Sequence, residues 1–218
     1  MKDMRIRFKK SGRAKYISHL DLTRTMTRAL RRAGVPVWYT EGFNKHPYLT
    51  FASPLSLGFE GDCESMDIRL VGDMPENELV ERLNGALPEG LEVVSAAPPV
   101  MKPGEIAFAR YRLTFTGSID SMSDYISQPS ITAEKRTKSG VTKSIELKPY
   151  LEGVNIEIND DSAVFEVTLP CGSAENINPM LIADAYNLYL SSVGQQERKV
   201  FCDVQRLGMT DRNGRPFK

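Results

Sequence analysis

Little in this sequence announces a cofactor. Its 218 residues hold only three cysteines, Cys63, Cys171 and Cys202, widely separated and without a C-x-x-C pair. That spacing excludes a zinc knuckle, a disulfide framework and the thiolate run of an iron–sulfur cluster, so buried or incidental thiols are expected. No glycine pattern of the G-x-x-x-x-G-K or G-x-G-x-x-G kind leads from a strand into a helix, so the loops that cradle nucleotide phosphates are missing as well. The expectation is a chain with no cofactor and no metal. Long apolar runs are absent too: no tract of about 18 apolar residues occurs that would span a bilayer. Met1 to Lys10 is basic and alternating, without the apolar stretch and small-residue cleavage site of a secretory signal. A soluble, cytoplasmic protein that does not meet a membrane is expected.

What is present is an ordinary globular composition, 41% apolar and 26% charged, in a chain long enough for one large domain or two smaller ones. Formal net charge is zero, yet the charges are unevenly placed. Residues 1–50 carry twelve Lys or Arg against three acids, whereas residues 51–110 carry four bases and eleven acids. A basic beginning of this density suits a polyanion, unless folding interleaves the two blocks and cancels the field.

Arg5-Ile6-Arg7-Phe8 alternates, which predicts a half-exposed strand with Ile6 and Phe8 inward and Arg5 and Arg7 outward. Ser18 followed by Asp21 predicts a helix start, and Leu22, Met26, Ala29, Leu30 and Ala33 supply an apolar stripe that stops at Gly34 before Pro36. Val37 to Phe43 and Tyr48 to Ala52 read as two strands around a turn, and Met66 to Leu70 as another. A helix starting at Asp73-Met74-Pro75-Glu76, with Pro75 as its first residue, and a closing strand from Leu91 to Ala97 complete a β-α-β-β-α-β unit. Pro98-Pro99 and Pro103-Gly104 form the most linker-like stretch. Beyond it come a strand at Tyr111 to Thr116, a helix at about Ser118 to Ser127, hairpins about Ser139-Gly140 and Asn159-Asp160-Asp161, a helix from Asn178-Pro179 and a strand at Val200 to Gln205. The expected class is α+β, with two tandem ferredoxin-like units packed side by side, residues 1–100 and 109–218.

Arg24, Arg28, Arg31 and Arg32 recur at helical spacing, after Arg5 and Arg7, and guanidinium forks pair with phosphate oxygens at two points. Together with Lys45 and a second cluster, Lys135, Arg136 and Lys138, they are the expected RNA-binding residues. Only two histidines exist, His19 and His46. At the first turn of a helix His19 would feel the positive dipole end, which favours the neutral imidazole a general base needs, so both histidines are candidate catalytic groups. The loop Glu41-Gly42-Phe43-Asn44-Lys45-His46-Pro47 packs acid, aromatic, amide, base and rigid turn into seven positions, as functional loops do. Glu41, Phe43, Asn44 and His46 are its candidate functional residues, expected to share a cleft with His19. Ordinary turn chemistry at Gly42, Asn44 and Pro47 accounts for the same residues equally well.

Taken together, Arg5-Ile6-Arg7-Phe8, Ile17-Ser18-His19-Leu20-Asp21-Leu22, Arg28-Ala29-Leu30-Arg31-Arg32-Ala33-Gly34 and Glu41 to Pro47 resemble the radical-SAM-linked protein family, a bacterial domain of unknown function. The resemblance continues through Pro54-Leu55-Ser56-Leu57-Gly58 to about Leu70 and, more weakly, from Lys148-Pro149-Tyr150 to Arg206. It implies a partner of radical SAM proteins and, through gene neighbours such as ribonuclease E/G, a place in tRNA or rRNA metabolism or modification. It implies no catalytic residues. A looser, fold-level similarity is to the repeat-processing endoribonucleases of CRISPR systems, which set two ferredoxin-like units around a basic cleft. The leading expectation is a non-catalytic, RNA-directed accessory module working with a separate radical SAM or RNA-processing partner. The alternatives are a metal-independent endoribonuclease using His19 or His46, and a protein adaptor that binds no RNA.

Overall fold

The computed structural model describes every residue except 137–139, 141 and 196–198, and of Arg136 only the backbone. The protein is mixed α/β, with 26% of the described residues helical and 37% in strands and bridges, so sheets set the frame. It divides into two compact units, one formed by Met1–Ala107 with Arg206–Lys218, the other by Phe108–Gln205. The proline-rich stretch at 98–104 thus precedes the division, while the last residues of the chain group with the first unit.

In the first unit β1 (Lys2–Lys10), α1 (His19–Arg32), β2 (Leu49–Phe51), β3 (Glu60–Leu70), α2 (Glu76–Asn84) and β4 (Leu91–Ala97) follow one another in the order the sequence predicts. β4, β1 and β3 lie side by side, the short β2 also pairs with β3, and each of these pairs is antiparallel. Registers such as Ile6↔Met66, Ile6↔Ala96 and Phe51↔Met66 place β1 and β3 in the middle. Central strands need apolar residues where helices cover them, and Met4, Ile6, Phe8, Met66, Ile68 and Leu70 supply these. Leu22, Met26, Ala29 and Leu30 of α1 and Leu79 and Leu83 of α2 close over them. Burying each such large side chain contributes roughly 1.5–3 kcal/mol. Residues 37–43 differ from expectation: instead of a strand they make single bridges, Val37↔Leu70 and Tyr39↔Pro47, so that 39–48 forms an excursion beside β3. Gly42, with φ 121°, occurs inside that excursion, where a regular strand would break.

The second unit contains β5 (Phe108–Gly117), α3 (Met122–Ser127), β6 (Thr132–Arg136), β7 (Thr142–Glu146), α4 (Lys148–Leu151), β8 (Glu157–Ile158), β9 (Ser162–Pro170) and α5 (Met180–Ser192). β10 (Val200–Thr210) gives its first residues to this unit and, from Arg206 on, its last to the first. β5 pairs antiparallel with β9, and β9 with β8, whereas β6 and β7 make a two-stranded sheet of their own. The expected turn about Ser139-Gly140 falls partly outside the described residues. The expected Asn178-Pro179 helix start is present, with the Asn178 side-chain oxygen accepting from the Met180 N–H at 3.0 Å. The core is aromatic: Phe115 stacks on Phe165 at 5.4 Å, and Tyr125 and Tyr186 meet at 5.0 Å. Their hydroxyls donate to the Ile182 and Ser118 carbonyls, as buried phenols require.

Candidate nucleic-acid interface

One side of α1 is an exposed basic surface of the first unit. The helix begins as the sequence predicts: the Ser18 hydroxyl accepts from the Asp21 N–H at 3.1 Å and donates to the Asp21 carboxylate at 2.7 Å. Turning 100° per residue from the inward stripe, the helix presents Arg24, Arg28 and Arg31 to solvent. With Thr23 and Thr27 they line a shallow groove of about 270 Å³. Arg24 touches Asp21 in an exposed pair at 3.3 Å, a contact worth little in water. Arg28 and Arg31 have no ion pair among the described residues. Arg32, expected on the same face, donates instead to the Ala86 carbonyl just past α2. It is turned away from the groove and ties the two helices together.

Arg5 corrects the expectation of an outward-facing strand arginine. It is 3% exposed, its guanidinium clamps both Asp67 oxygens at 2.7 Å, donates to the Lys218 carbonyl at 2.7 Å and lies 4.2 Å over the Phe217 ring. An arginine so engaged, and buried, is a structural brace rather than a surface contact for a phosphate. The alternation of β1 was legible, but covering of its second side depends on the distant residues 217 and 218. Arg7 is half-buried.

The loop of candidate residues is exposed from Glu41 to His46, with Lys45 in solvent and Phe43 fully exposed. Nδ1 of His46 lies 3.0 Å from the Asn44 carbonyl and 3.2 Å from the Thr40 hydroxyl, so this ring closes the turn. His19 packs edge-on to Phe51, centroids 5.1 Å apart. Among the described residues no hydrogen bond joins His19 to the loop, and the two imidazoles have separate surroundings. Asn44 and His46 are brought together; His19 and Glu41 are not seen bonded to them. In the second unit Lys135 donates to the Asn176 carbonyl. The Arg136 side chain and Lys138 lie outside what the structure describes.

Sequence reasoning missed a buried ionic cluster in the first unit. Glu64, 4% exposed, and Arg206, 2% exposed, face each other in a two-point pair, with Nε to Oε1 at 3.0 Å. Arg206 also donates to the Ser53 hydroxyl at 3.2 Å and carbonyl at 2.6 Å. Lys10, also 2% exposed, reaches the Lys15 and Ile17 carbonyls at 3.3 and 3.4 Å. Burial pushes the Lys10 pKa below the usual ammonium value, the Glu64 carboxylate opposing that shift and Arg206 adding to it. Gly61 leaves room for this: a Cβ there would come within 2.3 Å of Glu64 Oε1. No local pattern could show a pair 142 residues apart.

Burial also raises the Cys63 and Cys202 thiols to about 12. Since the thiolate is the nucleophile, alkylation of both by iodoacetamide at mildly alkaline pH is expected to be slow in the native protein and rapid in denaturant. Mass spectrometry of timed samples checks this, and fast native labelling of Cys63 would contradict the burial. Among the described residues no three His, Cys, Asp or Glu side chains group as metal ligands would, and no helix is long and apolar enough to cross a membrane.

Comparison with curated proteins finds no match. A family model described as an uncharacterized protein conserved in bacteria (DUF2344) matches residues 3–179. That span takes in the capped helix, its arginine face, the 41–47 loop and Gly61 and Glu64, so most of the chain, including its candidate interface, is family sequence, and the protein belongs to this bacterial family.

Proposed function

We propose that this protein is an RNA-directed accessory module, using the outer side of α1 to hold a phosphate backbone for a separate radical SAM or RNA-processing partner. The observation that supports it is the pair Arg28 and Arg31, exposed, one helical turn apart and without an ion-pair partner among the described residues, beside Arg24 and the hydroxyls of Thr23 and Thr27. Guanidinium groups left unpaired on a fixed helix are ready to meet phosphate oxygens, and the threonines add short-range donors. On this reading the two units are variants of one β-α-β-β-α-β plan, the second enlarged by the β6–β7 hairpin and α4.

The test is fluorescence anisotropy of labelled RNA with the pure protein across a salt series. Binding is expected to weaken steeply with salt, as released counterions require, and the Arg28→Ala/Arg31→Ala variant is expected to lose affinity and about one unit of log–log slope per arginine contact. An unchanged slope in the folded variant would remove α1 from the interface. Incubating the same RNA with protein in chelator is expected to leave it intact. Discrete products that vanish in a His19→Ala/His46→Ala variant would replace this reading with a metal-independent endoribonuclease.

A further inference from the structure

We infer that Tyr16 is a base-stacking platform, and that the nucleic acid held along α1 is therefore single-stranded RNA with unstacked bases. This rests on the RNA reading of the arginine face and adds to it the class of strand.

Tyr16 is 67% exposed and ends a 3-10 turn at Gly12–Tyr16, three residues before α1 begins. Lys15 Nζ lies 5.4 Å from the centre of its ring, a cation on the aromatic surface. Exposed tyrosines are common on flexible segments and mean little there. This one is presented by a backbone held from below. The carbonyls on either side of Tyr16, those of Lys15 and Ile17, both receive the buried Lys10 ammonium. The Lys15 carbonyl also accepts the Gly58 N–H at 2.8 Å, and the Ile17 N–H donates back to Ala14 at 3.1 Å. At the start of the turn the Ser11 N–H reaches the Gly90 carbonyl at 2.8 Å and the Gly12 N–H reaches Glu60 at 2.9 Å. Beneath the turn, Lys10 senses the charges of Glu64 and Arg206. Buried charges are costly, and here their geometric result is a fixed turn that displays one aromatic ring to solvent.

Tyr16 also leads directly into the basic helix along the chain. Two extended residues follow it, and α1 then carries exposed Leu20, Arg24, Arg28 and Arg31. An aromatic ring that precedes a row of cations matches how sequence-tolerant single-strand binders work: aromatics take base faces while a basic track follows the backbone. A duplex offers no such face, because its bases are stacked on one another and its wide groove shows only edges and hydroxyls.

The experiment compares one labelled RNA as a single strand and annealed to its complement, against wild type, Tyr16→Ala, Tyr16→Phe and Arg28→Ala/Arg31→Ala, with thermal melts showing that each variant is folded. Wild type is expected to prefer the single strand. Tyr16→Ala is expected to weaken single-strand binding at least about fivefold with its salt slope unchanged, because stacking releases no counterions. Tyr16→Phe keeps the ring and should bind as wild type. If Tyr16→Ala binds the single strand as tightly as wild type, or weakens strand and duplex equally, the platform is overturned. The RNA reading survives that outcome provided the arginine variant still loses affinity for both. Absence of any RNA binding by wild type overturns both proposals.

Discussion

Replacing Arg206 by alanine is expected to destabilise the first unit by roughly 3–5 kcal/mol, enough to unfold much of the population of a marginally stable domain. The cause is the charge left behind. Glu64 is 4% exposed and its carboxylate is held by Arg206 through two donors, while the same guanidinium serves the Ser53 hydroxyl and carbonyl. Without it an ionised carboxylate stays in a site that water does not reach, and Ser53 loses two bonds. Glu64→Gln in the Arg206→Ala background removes the stranded charge and is expected to recover a substantial part of the loss. Urea denaturation of the two singles and the double closes the cycle. An Arg206→Ala midpoint within experimental error of wild type would show that the pair contributes nothing to folding.

Arg5→Ala should have the next largest effect, roughly 3 kcal/mol, and leave the RNA salt slope unchanged. The loss is smaller than for Arg206 because Asp67 keeps 18% side-chain exposure and regains some hydration. It also spreads to the end of the chain. The Lys218 carbonyl accepts from Arg5, from the Val100 N–H at 3.2 Å and from the Met101 N–H at 3.0 Å, and Phe217 sits under the guanidinium. Losing Arg5 is expected to loosen residues 217 and 218 and accelerate hydrogen exchange at the Val100 and Met101 amides. The contrast separates two arginines that look alike in a linear reading: Arg5 variants should change the melting curve, Arg28 and Arg31 variants the RNA isotherm. A salt slope that falls in a folded Arg5→Ala protein would return Arg5 to the interface.

Local chemistry explains what could be read in advance. The Ser18–Asp21 start, the stripe from Leu22 to Leu30 and the stop at Gly34 were legible, since capping and periodicity act over three or four residues. β4 appears with the expected bounds, Leu91–Ala97. The 37–43 segment failed as a strand because β pairing depends on a partner's edge, and β3 offers it only the bridge at Leu70. His46 and Asn44 could be grouped because they are two residues apart, whereas the surroundings of His19 depend on Phe51.

By itself, then, the sequence determined both helices and the strands β1 and β4 of the first unit, the inward stripe of α1 and the presence of a row of arginines opposite to it, because each follows from spacing along a single helix or strand. Tertiary structure alone decided which of those cations are at liberty. It spent Arg5 on Asp67, Arg32 on the Ala86 carbonyl and Lys10 on two carbonyls beside Tyr16, and among the described residues it left Arg28 and Arg31 without an ion pair. The physical reason is that a charge finds its partner through space. Asp67 is 62 residues from Arg5 and Glu64 is 142 from Arg206, distances at which no periodicity carries information and only strand pairing, antiparallel between β1 and β3 for Arg5 and Asp67, brings the groups within reach.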